Sequence, residues 1–244
     1  MMGAPAHAPS NMSDTLVTPL AAAHYTRDWF QPHVRNWERW LSGLRDRPSL
    51  RALEIGSFEG RSTVWLLQNV LTQADSRIDC VDLFRPDPLQ GDYHQRFRAN
   101  VAPWSHKVRE YAGPSAEQLG RVRGPYDLIY IDGWHTAFGA LADGVMAWPQ
   151  LKVGGLMIFD DYLWMPPAYR RASRPNKLIR EFWRALGKNW RERAIARIAA
   201  QTPKLGIDVL LSTLRGQYEL VERGYQLAIR KTRAFEEATL ELDT

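Results

Sequence analysis

Two short apolar runs in the middle of the chain each end in aspartate, and this pairing constrains the fold more than any other feature. Residues 126–131 stop at Asp132, and residues 155–159 stop at Asp160 and Asp161 after about one helix of intervening chain. Strands separated by one helix form a parallel βαβ unit, which places both strand ends at the same edge of a sheet. Ligands bind at that edge in open parallel sheets. Three carboxylates converging there repel one another unless a proton or a cation lies between them, so the pattern favours a hard divalent ion.

Strand and helix patterns alternate along most of the sequence. Strand patterns lie at 52–55, 78–81, 108–111, 128–131 and 156–159, with helical patterns at 61–71, 93–101, 115–119 and 137–151. Such alternation predicts an α/β fold with a doubly wound, mostly parallel sheet. A helix around 205–214 and strand patterns at 218–222 and 225–230 end the domain in an antiparallel hairpin, which brings the sheet to seven strands. We also expect a leading helix over 26–44, interrupted early by Pro32, that packs on the domain or over its mouth.

The positive charge of the chain is concentrated in one segment. The formal net charge is +5, and residues 170–204 hold eleven Arg or Lys against two Glu. The rest of the chain is therefore acidic on balance. We predict one domain over 21–235 that contains a basic helical insertion or lid at 163–204, with flexible tails at 1–20 and 236–244.

The sequence contains one cysteine, Cys80, inside the apolar run 78–81. A single cysteine excludes a disulfide framework within one chain, and its position predicts a buried core thiol. The sequence contains no run of about 18 apolar residues, so we expect no transmembrane span. The first twenty residues lack the basic start and apolar stretch of a signal peptide, so we expect a cytoplasmic protein.

The first two strand patterns end in residues that suit a nucleoside. Gly56, after the first strand, allows a sharp turn and lets a ligand approach its amides, while Gly60 permits close packing of strand and helix. Asp82, after the second strand, can accept hydrogen bonds from both hydroxyls of a ribose. The turn at 112–115, which ends in Ser115, would flank an adenine. These features leave open whether the nucleoside is NAD or S-adenosylmethionine, although one glycine of the dinucleotide pattern is missing.

Four motifs together resemble the class I S-adenosylmethionine-dependent methyltransferases, in particular the metal-dependent O-methyltransferases of small molecules. They are Glu-Ile-Gly-Ser-Phe-Glu-Gly-Arg-Ser at 54–62, Val-Asp at 81–82, Tyr-Asp-Leu-Ile-Tyr-Ile-Asp-Gly-Trp-His at 126–135 and Lys-Val-Gly-Gly-Leu-Met-Ile-Phe-Asp-Asp at 152–161. The resemblance implies a Rossmann-like fold that binds S-adenosylmethionine. The cofactor-binding residues it implies are Glu54, Gly56, Ser57, Gly60, Ser62, Asp82, Ser115, Asp132 and Trp134.

The resemblance also bears on the acceptor. The branch that modifies sugars of antibiotics and glycans is similar in having Asp-Gly-x-His followed by Asp-Asp. The catechol-type branch has Asp-Asn where this chain has Asp160 and Asp161. We therefore expect a small polar acceptor, such as a sugar or a glycosylated compound.

The acids and the histidine beside them suggest a mechanism. A divalent ion bound by Asp132, Asp160 and Asp161 would be Mg²⁺ or Mn²⁺, because all of these ligands are oxygens. It would lower the pKa of the acceptor hydroxyl, and His135 is the candidate general base because imidazole titrates near neutrality. Trp134 could pack its face near the sulfonium. The simpler alternatives are a turn or helix cap for 160–161, a structural histidine and an ordinary pocket wall.

The basic segment has a helical pattern of apolar residues over 177–190. We expect an amphipathic helix docked on the core, with a lid over the acceptor pocket as the alternative. Its charge would favour an acidic acceptor or an anionic membrane surface. Nucleic acid is not expected, because no stacking-aromatic RNA motif accompanies the charge. A homo-oligomer stays open.

The sequence thus predicts a metal-assisted O-methyltransferase that acts on a hydroxyl of a small polar molecule. The alternatives are a metal-independent methyltransferase of the same fold, an NAD-type oxidoreductase, and a catalytically silent binding subunit that keeps the fold.

Overall fold

The computed structural model describes residues 23–166, 181, 185 and 197–234. They form an α/β fold around one seven-stranded sheet, in which the strand order is β3-β2-β1-β4-β5-β7-β6. The strands are β1 (Arg51–Ile55), β2 (Arg77–Asp82), β3 (Val108–Ala112), β4 (Tyr126–Ile131), β5 (Leu151–Phe159), β6 (Tyr218–Arg223) and β7 (Leu227–Lys231). Strands β1 to β5 are parallel, whereas β7 runs antiparallel to β5 and β6 antiparallel to β7. The predicted mostly parallel sheet with a terminal hairpin is confirmed.

The described helices cover both faces of this sheet. They are α1 (Val34–Trp40), α2 (Arg61–Asn69), α3 (Tyr93–Val101), α4 (Ser115–Gln118), α5 (Ala137–Ala147) and α6 (Pro203–Thr213). The leading helix is shorter than the predicted 26–44, because a 3-10 turn at Gln31–His33 contains Pro32, and the α-helix begins only at Val34. Helix α5 also ends earlier than predicted, where a 3-10 turn with a proline leads into β5.

Two hydrophobic clusters form the core, one on each face of the sheet. Neighbouring residues of β4 alternate between them: Leu128 and Tyr130 pack with one cluster, and Ile129 and Ile131 with the other. This alternation follows from the two-residue period of a strand and shows that both faces are buried, as in doubly wound sheets. Cys80 is fully buried in the first cluster, so the prediction of a core thiol is confirmed.

The segment before α1 lies across α2 and α3. The backbone amide and the hydroxyl of Thr26 donate to the carboxylate of Glu59, at 2.7 and 2.8 Å, and the amide of His24 donates to Asn100 Oδ1 at 2.9 Å. Glu59 is buried and also accepts from Arg96 at 2.5 Å. These contacts fix the leading segment next to the ends of β1 and β2.

Several predictions concern residues outside those that the structure describes. These are the tails at 1–20 and 236–244, the apolar helical face over 177–190 and most of the basic segment 163–204. Among the described residues, every helix is too short or too polar to pass through a lipid bilayer.

Candidate active site

The register of the sheet brings the predicted site residues to one edge. Ile131 pairs with Ile55 on one side and with Phe159 on the other, so the residues that follow these strands are neighbours. The amide of Asp132 donates to the carbonyl of Ile55 at 2.7 Å, and the amide of Asp160 donates to that of Ile131 at 2.9 Å. The prediction that both aspartates lie at the carboxyl ends of adjacent strands is confirmed.

Gly56 allows the closest approach at this edge. Its φ is +89°, and a Cβ there would collide with the carbonyl oxygen of Asp132. Any other residue at 56 would therefore face both backbone strain and a steric clash. A glycine at this position keeps the ends of β1 and β4 in contact and Asp132 in its place.

A cavity of about 720 Å³ opens above this edge, which is a usual size for a small-molecule site. Six predicted residues line it, namely Gly56, Asp82, Ser115, Asp132, Trp134 and His135. Trp134 is 69 % exposed, so its ring is available to a ligand. The structure thus gathers the ends of β1, β2 and β4 and the start of α4 around one space.

Four residues predicted to bind the cofactor do not line this cavity. Glu54 is fully buried, and its carboxylate accepts from Ser62 Oγ at 2.5 Å and from the hydroxyl of Thr63. Burial raises the pKa of Glu54, despite these hydrogen bonds. Ser57 is also buried. A Cβ at Gly60 would lie 3.0 Å from the ring of Phe97, so this glycine serves packing against α3 rather than against a strand.

Asp82 lines the cavity and is held by three donors. Its Oδ2 accepts from the amide of Phe58 at 2.9 Å, and its Oδ1 accepts from the amide of Phe84 at 3.0 Å and from the hydroxyl of Tyr93 at 2.9 Å. The carboxylate therefore has a fixed orientation at the end of β2.

An aromatic wall that the sequence analysis missed completes the cavity. It consists of Trp29, Phe58 and Tyr93, whose rings follow one another at centroid distances of 5.5 and 5.2 Å. The fixed leading segment supplies Trp29. From the sequence we expected this segment to pack on the domain or over its mouth, but that expectation did not single out Trp29.

Three side chains form a candidate cation site beside the cavity. Ligand atoms of Asp132, His135 and Asp161 all lie within 4.8 Å of one another. Nε2 of His135 is 3.2 Å from Asp132 Oδ1, and its Nδ1 is 3.2 Å from Asp161 Oδ2. His135, predicted as a general base, thus lies between two of the three predicted metal ligands.

The charges in this cluster shift one another's titration. Burial and then the charge of Asp160 raise the pKa of Asp132, whereas the hydrogen bond and charge of His135 lower it. Burial and the same charge also raise the pKa of Asp161. Burial lowers the pKa of His135, but the hydrogen bond and charge of Asp132 outweigh it and bring the pKa to about 9. The cluster therefore holds more negative charge than its surroundings solvate, and a cation would relieve that excess.

Asp160, the remaining predicted metal ligand, uses both of its carboxylate oxygens to accept hydrogen bonds from other protein groups. Its Oδ2 accepts from the hydroxyl of Tyr130 at 2.6 Å, and its Oδ1 accepts from Gln226 Nε2 at 3.1 Å and from the amide of Asp161 at 2.8 Å. The hydroxyl of Tyr130 is also 3.2 Å from Asp132 Oδ2. Asp160 thus lies outside the cluster and supports it, and Tyr130, which the sequence presented only as a strand residue, links Asp160 to Asp132.

Asp161 is turned toward the cluster by an uncommon backbone conformation. Its φ is +54°, in the left-handed region that few residues other than glycine, asparagine and aspartate adopt. The hydroxyl of Tyr225, from the turn between β6 and β7, donates to Asp161 Oδ1 at 2.5 Å. The terminal hairpin therefore helps to position the site.

Two carboxylates and an imidazole fit a divalent cation. Carboxylates suit Mg²⁺ and Mn²⁺, whereas an imidazole nitrogen is a better ligand for Mn²⁺ and later transition metals than for Mg²⁺. The excess negative charge described above points the same way. Among the described residues, Asp132, His135 and Asp161 are the acids and histidine whose ligand atoms lie close enough together to hold one metal ion.

A comparison with protein families finds a match to the central part of the sheet. Residues 53–162, which contain most of β1, all of β2 to β5 and all the predicted site residues, match the family described as "Methyltransferase domain". This part of the chain is thus similar to a methyltransferase domain. The sheet order and terminal hairpin of the chain are those of the class I methyltransferase fold.

Solved structures of methyltransferases share the fold. The O-methyltransferase from Bacillus cereus in complex with SAH (S-adenosylhomocysteine) is 16 % identical with a TM-score of 0.52, and the alignment covers 87 % of this chain and 84 % of that one. The SAH-bound methyltransferase PaMTH1 of Podospora anserina is 17 % identical with a TM-score of 0.52, over 81 % and 78 % of the two chains. MycE of the mycinamycin pathway, in complex with Mg and SAH, is 19 % identical with a TM-score of 0.53, over 87 % of this chain and 52 % of MycE.

One curated relative is similar in sequence. The O-methyltransferase hkm8 of Aspergillus hancockii is 30 % identical over 128 residues, which are 50 % of this chain and 47 % of hkm8. The matched part of the chain thus spans about half the length of that relative.

Proposed function

We propose that the protein is an S-adenosylmethionine-dependent, divalent-metal-assisted O-methyltransferase acting on a hydroxyl of a small polar metabolite such as a sugar. One observation carries the proposal: Asp132 lines the cavity with Asp82 and also belongs to the cluster with His135 and Asp161. A nucleoside in the cavity and a cation in the cluster would both contact this residue. Transfer from a sulfonium to a hydroxyl requires this kind of adjacency.

The cofactor would lie along the carboxyl edge of the sheet. Asp82 would accept a hydrogen bond from the ribose, the turn at Ser115 would flank the adenine, and the backbone at Gly56 allows close approach. Trp134 would lie near the sulfonium, where a cation–π contact contributes on the order of 1 kcal/mol. Glu54, Ser57, Gly60 and Ser62 would act indirectly, by fixing the conformation of the loop between β1 and α2.

The metal would be held by Asp132 and Asp161, with His135 as a third ligand or as the adjacent base. A bound divalent ion would supply positive charge that lowers the pKa of the acceptor hydroxyl. Asp160, the third predicted ligand, would stabilise the site through Tyr130 and the amide of Asp161. This role differs from the direct coordination predicted for Asp160.

His135 is the residue best placed to take the proton. In the reaction, the acceptor oxygen attacks the methyl carbon, the carbon–sulfur bond breaks, the sulfonium becomes a neutral thioether and the hydroxyl proton passes to a base. With a pKa of about 9, His135 carries its proton at neutral pH as long as both neighbouring aspartates are ionised and unneutralised. Neutralising these carboxylates would lower that pKa toward 6.5 and free the ring to accept a proton.

The proposed acceptor follows from the motifs and from a similar fold. The Asp-Gly-x-His and Asp-Asp motifs support a sugar or glycosylated compound, and MycE, which has a similar fold, is known in complex with Mg, SAH and mycinamycin VI. An acidic acceptor, membrane contact through 163–204 and a homo-oligomer stay predictions. A cytoplasmic location belongs to the proposal too, on the basis of the lone buried Cys80.

Methyl transfer from labelled S-adenosylmethionine to a panel of sugars, glycosides and catechols tests the proposal. We expect transfer to at least one hydroxyl compound, its loss with a chelator, and its recovery with Mn²⁺ or Mg²⁺. The matched variants are Asp132→Asn, which should be inactive, and Glu219→Gln on β6, which should not change the rate. Failure of S-adenosylhomocysteine to bind would overturn the proposal.

A metal-independent methyltransferase of the same fold is the second candidate. It is favoured by the position of His135, because an imidazolium bound by two carboxylates can itself supply the positive charge of the site. Transfer that persists in the presence of a chelator, with Asp160→Asn as active as the wild type, would select this candidate.

A further inference from the structure

The carboxylate of Asp82 has little capacity left for a ligand. An ionised carboxylate offers about four lone-pair positions, two on each oxygen. The amide of Phe84 and the hydroxyl of Tyr93 occupy both positions of Oδ1, and the amide of Phe58 occupies one position of Oδ2. One acceptor position is left, on Oδ2, whereas the ribose of a nucleoside presents two neighbouring hydroxyls.

Of the three donors, only Tyr93 donates through its side chain. Phe58 and Phe84 donate through backbone amides, and both have positive φ values, of 48° and 43°, so the chain bends sharply in the loop after β1 and again just after β2. A substitution cannot remove these two hydrogen bonds without changing the backbone. The hydroxyl of Tyr93 can be removed while its ring stays.

The position of Tyr93 is well fixed. It is the first residue of α3, whose N-terminus is capped by the side chain of Asp92, which accepts from the amide of Gln95 at 2.9 Å. The ring is buried and packs 5.2 Å from that of Phe58. Burial and then the charge of Asp82 raise the pKa of Tyr93 to about 12, so its hydroxyl keeps the proton that it donates.

We propose that Tyr93 is a positioning residue that restricts Asp82 to a single hydroxyl of the bound ribose. The restriction arises because Tyr93 occupies the oxygen that the second hydroxyl would need. This inference rests on the proposed function, since it assumes that the cavity binds the nucleoside of S-adenosylmethionine. It replaces the expectation from the sequence that Asp82 accepts from both hydroxyls.

Calorimetric titration with S-adenosylhomocysteine and its 2′-deoxy and 3′-deoxy analogues tests the inference. A hydrogen bond to a charged group changes affinity by about tenfold or more. The wild type should therefore lose about tenfold or more with one analogue and less than about threefold with the other. In Tyr93→Phe, Oδ1 gains a free position, so both analogues should lose about tenfold relative to S-adenosylhomocysteine. Tyr218→Phe, on the hairpin strand β6, should behave as the wild type.

The outcomes separate the two proposals. Absence of binding of S-adenosylhomocysteine to the wild type overturns the proposed function itself. Binding with equal losses for both analogues in the wild type leaves the proposed function intact and overturns the role of Tyr93. An unchanged one-hydroxyl pattern in Tyr93→Phe overturns it as well. The wild-type comparison does not depend on the folding of any variant.

Discussion

The Nε2 atom of His135 lies 3.2 Å from Oδ1 of Asp132, and the two residues line the same cavity. The two residues are three positions apart in sequence, and their contact lies in the loop that follows β4. Asp132 directly follows β4, and His135 lies two residues before α5, so the short loop between this strand and this helix sets the distance between them.

We expect Asp132→Asn to lower the pKa of His135 from about 9 toward or below 6.5. The variant removes a hydrogen bond and a negative charge that favour the imidazolium, while burial, which favours the neutral ring, stays. The measurement is a pH titration of the histidine ring signals by NMR. Glu219→Gln should leave the titration unchanged, and a pKa of His135 that stays near 9 in Asp132→Asn would contradict the assignment.

Gly56→Ala and Gly154→Ala form a matched pair that separates strain from steric clash. Their φ values are +89° and +82°, but a Cβ at 56 would meet the backbone of Asp132, whereas nothing lies within 4 Å of one at 154. We expect Gly154→Ala to lower the free energy of unfolding by about 1–2 kcal/mol from strain alone. Gly56→Ala should cost several kcal/mol, on the order of the severest core changes, and should abolish binding of S-adenosylhomocysteine. Equal costs in urea unfolding would show that Asp132 is not held by this contact.

Asp161→Asn and Asp160→Asn should differ in their effect on Mn²⁺ affinity. Asp161 has a ligand atom in the cluster, whereas both oxygens of Asp160 accept hydrogen bonds from protein groups. We expect Asp160→Asn to weaken Mn²⁺ binding by about 10-fold, as for a supporting residue, and Asp161→Asn by more than about 100-fold. Electron paramagnetic resonance of free Mn²⁺ measures both values. The reverse order would restore Asp160 as the direct ligand, as the sequence suggested.

Asp143 should make the protein less stable as the pH rises. This aspartate of α5 is buried and one of its oxygens has no hydrogen-bond partner. Burial raises its pKa to about 6, although Ser115 donates a hydrogen bond to it. Since the folded state binds this proton more tightly than the unfolded state, the free energy of unfolding falls between about pH 4 and pH 6 and stays lower above pH 6.

Asp143→Asn should remove that fall and stabilise the protein at pH 7 by about 1–3 kcal/mol. Urea unfolding at pH 4, 5, 6 and 7 measures it, with the exposed Glu219→Gln as the control. A wild-type stability that rises by the same amount over this range, or an Asp143→Asn variant that follows the wild type, would argue against a protonated Asp143.

The fold was readable from the sequence because strand and helix periods are local signals. Asp132 and Asp160 were placed correctly for the same reason, since each directly follows a buried strand. The burial of Glu54 was readable too: it lies between Leu53 and Ile55, so the two-residue period points it to the opposite face, under α2. The motif resemblance led instead to the prediction that Glu54 binds the cofactor.

The rest of the site depends on contacts that no local pattern encodes. Two features decide that His135, and not Asp160, joins Asp132 and Asp161 in the cluster. They are the positive φ of Asp161 and the hydrogen bond from the hydroxyl of Tyr130 to Asp160. The hydrogen bond from Tyr93 to Asp82 joins a helix start to a strand end across ten residues of loop. Such contacts are set by tertiary packing, which a single sequence does not show.

A crystal structure of the protein with S-adenosylhomocysteine and Mn²⁺ tests the central claim most directly, through the anomalous signal of the metal. We predict one Mn²⁺ peak within coordination distance of Asp132 and Asp161, with the nucleoside between Asp82 and Asp132. A metal peak away from both aspartates, or a nucleoside outside this cavity, would contradict the account.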